Sequence, residues 1–496
     1  MTPRRIRRGL LPITAAAALT GCVSSNTYAP ELEEAISPPD AYGEQPVDRT
    51  VPFDGWCSDF GDPYLEGLVD QALDQNLNLK AAWARVAQSQ AIARQQGAGV
   101  WPQVELSGTA GRSKVQGPAQ APQFGGATVN QYNAQLGVSY EVDLWGRIAA
   151  GQQAANYDAL AARADAESAA VGVTAQVAEA WFDVVHQRQR RALLEDQIAV
   201  NDRYLELLRL RLEQGQASGL DITQQEQQIE ALRGQLEQLT ALELSAHKRL
   251  AVLLGLTPSS DVAGRSEQLP ALPPSPEPGI PVDLLARRPD VRAAKNRLDA
   301  ADRRIAVAVA NKLPALRLSA NLSLQAFELQ KLFDDVFWSV AGSASAPLLD
   351  GGARDAAVDS AEAGARAELY SYAASLMTAI QEVETALVNE RQQAALLERL
   401  TVQVDTSRQS LDLARERYRQ GAVNYLRVLN AIQALQQVEQ QHLDAKRNQL
   451  SFRLQLCRAL GGDWTRELKP TDSLHDEDEA DASEDDGAPQ ATRTAP

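Results

Sequence analysis

RIAAGQQAANYDALAARADAESAAVGVTAQVAEAWFDVVHQRQRRALLEDQIAVNDRYLELLRLRLE, Arg147 to Glu213, is rich in Ala, Leu, Gln, Glu and Arg and holds no proline. At about 1.5 Å per residue such a run, as one helix, measures roughly 100 Å, several times the helix of an ordinary globular domain. A second proline-free run of equal length, Ala353 to Arg419, follows, and the flanks of the two match. Trp145-Gly146-Arg147 before the first answers to Gly351-Gly352-Ala353 before the second. After the first comes Arg-Leu-Glu-Gln-Gly (211 to 215), and after the second Arg-Tyr-Arg-Gln-Gly (417 to 421). The chain is a duplication of a unit of about 200 residues.

No window reaches the 18 or more consecutive apolar residues of a membrane-spanning helix, so any spanning part must be β. The N-terminus reads as an export signal, with Arg4, Arg5, Arg7 and Arg8 before the apolar Leu10 to Leu19. It ends in Leu19-Thr20-Gly21-Cys22, which resembles the bacterial lipobox, where cleavage leaves the cysteine to carry acyl chains, a diacylglycerol and an N-palmitoyl group. Several chains on one residue anchor a protein durably. An ordinary secretory peptide with an incidental cysteine is the alternative. Val23, in place of the aspartate of inner-membrane retention, directs the expectation to the outer membrane. Cys57 and Cys457 either pair in an oxidising periplasm or stay as buried thiols; spacing does not decide. Eight acids in eleven residues, Asp476 to Asp486, supply about half of the net charge of -17 and predict a solvated, disordered tail.

Past Trp101-Pro102 the hydrophobic period changes from helical to two. Val104, Leu106, Gly108 and Ala110 alternate with polar residues, as do Tyr132, Ala134, Leu136, Val138, Tyr140 and Val142. The second copy repeats this with Leu316, Leu318, Ala320, Leu322 and Leu324, and a partner strand from about Phe337 to Leu349. These are two hairpins, each with one apolar and one polar face, and strands of about ten residues suit a tilted crossing of a bilayer. In lipid a hairpin leaves its edge N–H and C=O groups unsatisfied, and only closed barrels escape that cost. Four strands cannot close, so at least two chains must pool hairpins, and three would give twelve. A polar inner face without large plugging aromatics would leave a wet lumen. The alternative is a soluble sheet packed on the helices.

Before the first hairpin, Leu65, Leu68, Val69, Ala72 and Leu73 keep a three-four spacing from Asp62-Pro63, and one helix is expected to continue to about Gly97. After each long run, Gly215 and Gly421 suit the left-handed conformation that ends a helix. Ser218 with Asp221 predicts the cap of a returning helix, and Asn424 a cap in the second copy. The returns end at Leu254-Gly255 and Leu460-Gly461, 206 residues apart like the tip glycines. Along the first rod Ala161, Ala164, Ser168, Val171, Ala175, Ala178, Phe182 and Val185 form one stripe. Leu160, Ala170, Thr174, Val177, Trp181 and Val184 form another, predicting neighbours on two sides.

The expected plan is an α+β chain: signal 1–21; extended lipidated segment 22–62; repeat 1 over 63–265, with its hairpin at about 103–145 and long helix 147–213; Pro-rich linker 266–282; repeat 2 over 283–468, with its hairpin at about 315–350 and long helix 353–419; acidic tail 469–496. None of the four histidines stands at metal-ligand spacing to another His or Cys, so no catalytic, cofactor or metal constellation is expected. A net acidic chain with dispersed arginines argues against nucleic acid.

Glu141-Val-Asp-Leu-Trp-Gly-Arg147, Arg287-Arg-Pro-Asp-Val-Arg-Ala-Ala294, Pro347-Leu-Leu-Asp-Gly-Gly352 and Leu460-Gly-Gly-Asp-Trp464 resemble signatures of the TolC-like outer-membrane factor family, in its lipoprotein branch serving efflux pumps. The resemblance implies a homotrimer with a twelve-stranded barrel in outer-membrane lipid, continued by a twelve-helix periplasmic tunnel. It implies no catalysis, and a tip met by a periplasmic adaptor, the membrane fusion protein, bound to an inner-membrane pump. The adaptor-facing tips map to Arg211, Gly215, Ser218 and Asp221, and to Arg417, Gly421 and Asn424. The tunnel constriction maps to Leu426, Arg427 and Asn430. Where the family often carries Leu-Asp-Ala, with the aspartate in a cation-attracting ring, this sequence has Leu429-Asn430-Ala431, so weaker cation preference is expected. The leading function is a passive drug or solute efflux duct. A duct for type I protein secretion is the runner-up, and a lipid-anchored coiled-coil scaffold a third reading that leaves the hairpins unexplained.

Overall fold

The computed structural model describes residues 39, 41–44, 50–51, 60–115, 127–262, 268–461 and 468. Cys22 with its lipobox, Cys57 and the acidic tail lie outside the described residues. Contacts gather the chain into two compact units, one from Ile92–Tyr157 with Leu298–Tyr370, the other from the described parts of 37–91, 158–297 and 371–496. Each draws on both halves of the sequence, so the repeats interleave.

The first unit holds a four-stranded antiparallel sheet in sequence order: β1 (Gln103–Val115), β2 (Ala127–Val142), β3 (Ala315–Ala326) and β4 (Val336–Ser345). Its register joins the two hairpins into one two-faced surface. Leu106 pairs with Leu136, Leu136 with Leu322, and Leu322 with Trp338, so all four lie on one face. One residue along, Ser107, Gln135, Ser323 and Phe337 share the other. The apolar face is exposed, with Leu106 and Trp338 each at 77%. That exposure would be untenable in water over such an area. Phe337 corrects the expectation of a polar side free of large aromatics. β4 also stops at Ser345 rather than Leu349, because Pro347 has no N–H for a ladder; Leu348 and Leu349 beyond it are both 95% exposed.

Each rod is started by an aspartate. Asp143 accepts from the backbone N–H groups of Ile148 (3.1 Å) and Ala149 (2.9 Å) at the start of α3 (Arg147–Glu213). Asp350 accepts from Gly352 (3.0 Å) and Arg354 (3.3 Å) at the start of α6 (Ala353–Arg419). Gly146, Gly351 and Gly352 take positive φ in these turns. Trp145 donates its indole N–H to the carbonyl of Pro314 at 2.7 Å, and Arg147 pairs with Glu141 at 2.7 Å. The Glu-Val-Asp-Leu-Trp-Gly-Arg motif is therefore a strand-to-helix joint.

In the second unit the expected single entry helix is two: α1 (Pro63–Gln75) and α2 (Leu77–Gly97). Asn76 interrupts them by taking an extended conformation. Its side-chain oxygen accepts from Asn78 and Leu79, and its amide donates to the carbonyl of Leu253 at 2.8 Å. A residue that caps one helix and ties down another outweighs the continuing period. Asp62 is equally double-ended, capping α1 through one oxygen and accepting from the Trp181 indole at 2.8 Å through the other.

The main core surrounds the middle of α3, where Trp181, Phe182, Val184 and Val185 are fully buried among α1 and the ends of α4 (Gly219–Leu253) and α7 (Tyr425–Leu460). Both expected stripes are largely buried, with Ser168 half-buried. Leu160 is not; it is 50% exposed beside Leu285 and Arg292. Arg453 and Glu390 form a fully buried pair, with Arg453 also donating to the Pro273 carbonyl. Arg288 ties Asp290 and Glu382, each at 2.7 Å, to the carbonyl of Ala459 at 3.0 Å. Burial alone would raise the Asp290 carboxyl, yet its hydrogen bond and charge pairing with Arg288 hold it below the usual range. The Arg-Arg-Pro-Asp-Val-Arg motif thus pins α5 (Pro289–Ala310) to the end of α7. Cys457 is buried.

Candidate functional site

Both helix-to-helix turns close with the same backbone geometry. In the first, Gly215 has φ 71, its N–H reaches the carbonyl of Leu212, and that of Gln216 reaches Arg211 at 2.8 Å. In the second, Gly421 has φ 72, and the N–H of Ala422 reaches Arg417 at 2.9 Å. A side chain at either glycine would face the cost of the left-handed region, which explains the residue type whatever else the turns do.

The starts of the returning helices differ. Ser218 and Asp221 form a reciprocal capping box: Asp221 N–H donates to Ser218 Oγ (3.2 Å) and Ser218 N–H to Asp221 Oδ2 (2.9 Å). Asn424 occupies the corresponding cap position of α7, but its side chain makes no cap hydrogen bond. The expected second cap is thus a matter of position only. What holds that helix start is the next residue. Tyr425 is 2% exposed and donates its hydroxyl to Gln225 Oε1 at 2.7 Å. Gln225 in turn donates to the backbone carbonyl and side-chain oxygen of Asn201, at 2.8 and 2.9 Å. Burial drives the Tyr425 phenol well above its ordinary value, so it remains a donor.

Around this chain pack Leu208, Leu411, Val428, Leu429 and Ile432. Arg211 lies over the Tyr418 ring at 4.6 Å, and Tyr418 meets Tyr425 edge-on at 5.7 Å. One residue of each tip is therefore stacked on the other. The sequence reading missed this link, though a signal existed: Tyr425 and Gln225 answer by the repeat offset to Gly219 and Ala431, so both break the internal symmetry.

Leu426, Arg427 and Asn430 are all exposed on α7. Arg427 makes no ion pair among the described residues. The exposed face continues through Gln433, Gln437 and Gln441, so below the arginine it offers neutral amides. Among the described residues no group of three or more His, Cys, Asp or Glu is placed to hold a metal, and no helix is long and apolar enough to cross a membrane.

Comparison with known proteins converges on one class. The family model described as outer membrane efflux protein matches residues 68–256 and 280–462. The pyoverdine export outer membrane protein OpmQ of Pseudomonas putida is 29% identical over 439 residues, 86% of this chain and 93% of the relative. The toluene efflux pump outer membrane protein TtgF of Pseudomonas putida is 31% identical over 417 residues, 82% of this chain and 85% of the relative. The solved outer-membrane channel OprN superposes with a TM-score of 0.78 at 28% identity, covering 87% of this chain and 98% of that one.

Proposed function

Because the chain belongs to the outer membrane efflux protein family, we propose that it is the outer-membrane exit duct of an efflux system, passing drugs or small solutes outward without chemistry of its own. The observation that carries this is the sheet: two hairpins from separate halves of the chain share one register, one face is exposed and apolar, and β1 and β4 are left as open edges. An apolar face suits lipid, and open edges in lipid demand partners. Three copies supply twelve strands, with the Ser107–Gln135–Ser323 face toward a water-filled bore.

Energy comes from an inner-membrane pump through a periplasmic adaptor. The adaptor meets the tips, at Arg211, Gly215, Ser218 and Asp221 and at Arg417, Gly421 and Asn424. Leu426, Arg427 and Asn430 line the narrowest level, and acyl chains on Cys22 add an anchor. Efflux is favoured over protein secretion because the matched relatives are named for toluene efflux and pyoverdine export. The full-length acylated protein should run as a heat-sensitive trimer in detergent and conduct ions in planar bilayers. A monomer that passes no current would refute the duct. Crosslinkers at the exposed Gln214 and Gln420, next to the two tip glycines, should capture a membrane fusion protein in cells; capture of none would remove the adaptor role.

A further inference from the structure

The apolar face of β1 does not stay apolar to its end. Val104, Leu106, Gly108 and Ala110 are followed at the same alternation by Arg112 and Lys114, opposite Asn130 and Thr128 of β2. Both cations therefore point to the same side as Leu106. They are exposed, and neither has an ion pair among the described residues. From Leu106 to Tyr140 the sequence holds no Asp or Glu, and the hairpin's two carboxylates, Glu105 and Glu141, lie at its opposite end, so none of its own stands near them. At about 3.4 Å per residue and a tilt of about 40°, Arg112 stands roughly 21 Å and Lys114 roughly 26 Å above Val104, which is the height of a barrel's apolar band. Tyr132, paired with Ala110, sits just below them, where an aromatic girdle meets the interface.

From this placement we infer that Arg112 and Lys114 form a binding site for the phosphate groups of a phosphorylated glycolipid in the outer leaflet. The inference rests on the reading of the sheet as part of an outer-membrane barrel. The helices attach at the Gln103 and Val142 ends of the strands, so the Lys114 end is the outer one. A long cationic side chain at that height lays its stem along the apolar band and lifts its head into the phosphate layer. Two such side chains on one strand, two residues apart, form a fork for one phosphate or a pair of them. Asp334 and Asp335, just before β4, are the competing partners, reached across the seam from a neighbouring copy.

The test compares the heat-dissociation midpoint of the trimer in vesicles of four kinds. These are phosphatidylcholine alone, with bisphosphorylated lipid A, with lipid A stripped of its phosphates, and with inorganic phosphate. Bisphosphorylated lipid A should raise the midpoint by several degrees, and the stripped lipid and free phosphate should not. Arg112→Ser with Lys114→Ser should abolish the rise, each single serine variant should reduce it, and Arg112→Lys should keep it. An equal rise in the double variant, or with stripped lipid or free phosphate, would overturn the site. A double variant that dissociates earlier in phosphatidylcholine yet keeps its full lipid A increment would show a seam ion pair and overturn it too. Wild-type protein that neither trimerises nor conducts before lipid A is added would fail at the duct reading and take this inference with it.

Discussion

Ser218 and Asn424 stand at equivalent turns and do different amounts of work. Ser218→Ala removes an accepted backbone hydrogen bond and should cost about 1 kcal/mol locally, whereas Asn424→Ala should cost a few tenths at most. Amide hydrogen exchange over Gly219–Thr223 and Tyr425–Leu429 reads the contrast directly. His247 makes a second case. Burial and then the neighbouring Arg188, 3.2 Å away, hold its pKa below the ordinary 6.5, against the opposing pull of Glu243. A folded pKa below the unfolded one means that the unfolded chain binds the extra proton first. Stability from this group is therefore full above about pH 6.5 and falls as pH drops from there through the lower folded value. The thermal midpoint should decline between pH 7.5 and 5.5, and His247→Gln should flatten part of that decline.

At the scale of the element, the rods, turns and strands could be read from composition, period and glycine placement, because those features act within a few residues of where they are written. The break at Asn76 could not, since it depends on a carbonyl of Leu253 nearly two hundred residues away. The Tyr425–Gln225–Asn201 chain escaped for the same reason: its partners come from different halves, and only a departure from the internal repeat marked them. The tip glycines were legible, but the stacking of Arg211 on Tyr418 was not, because a cation and a ring carry no spacing rule between distant segments. The pair joining α6 to α7 yields a prediction of this kind. Arg453→Leu leaves Glu390 buried beside a lost partner and should destabilise the protein by about 3–5 kcal/mol. Replacing both by leucine and methionine should restore much of the loss in thermal unfolding.

For the whole molecule, the charge at the narrowest level decides which ions pass. On the proposal that Arg427 and Asn430 line that level, a neutral amide and a cation stand there in each of three copies, and they present no negative ring. Single-channel reversal potentials in a salt gradient should show weak cation preference or none. Arg427→Asp with Asn430→Asp should shift them toward cation selectivity, and a strongly cation-selective wild type would contradict the assignment. The open edges of the sheet have a further consequence, for biogenesis. A lone protomer has no resting place in the bilayer, since its raw strand margins would be starved of hydrogen bonds there, and none in water, since its greasy side would recruit other chains. Threading the lipid and meeting two sister copies must then be a single concerted event. Its yield should climb steeply with synthesis rate, and cells should be intolerant of any delay between export and assembly.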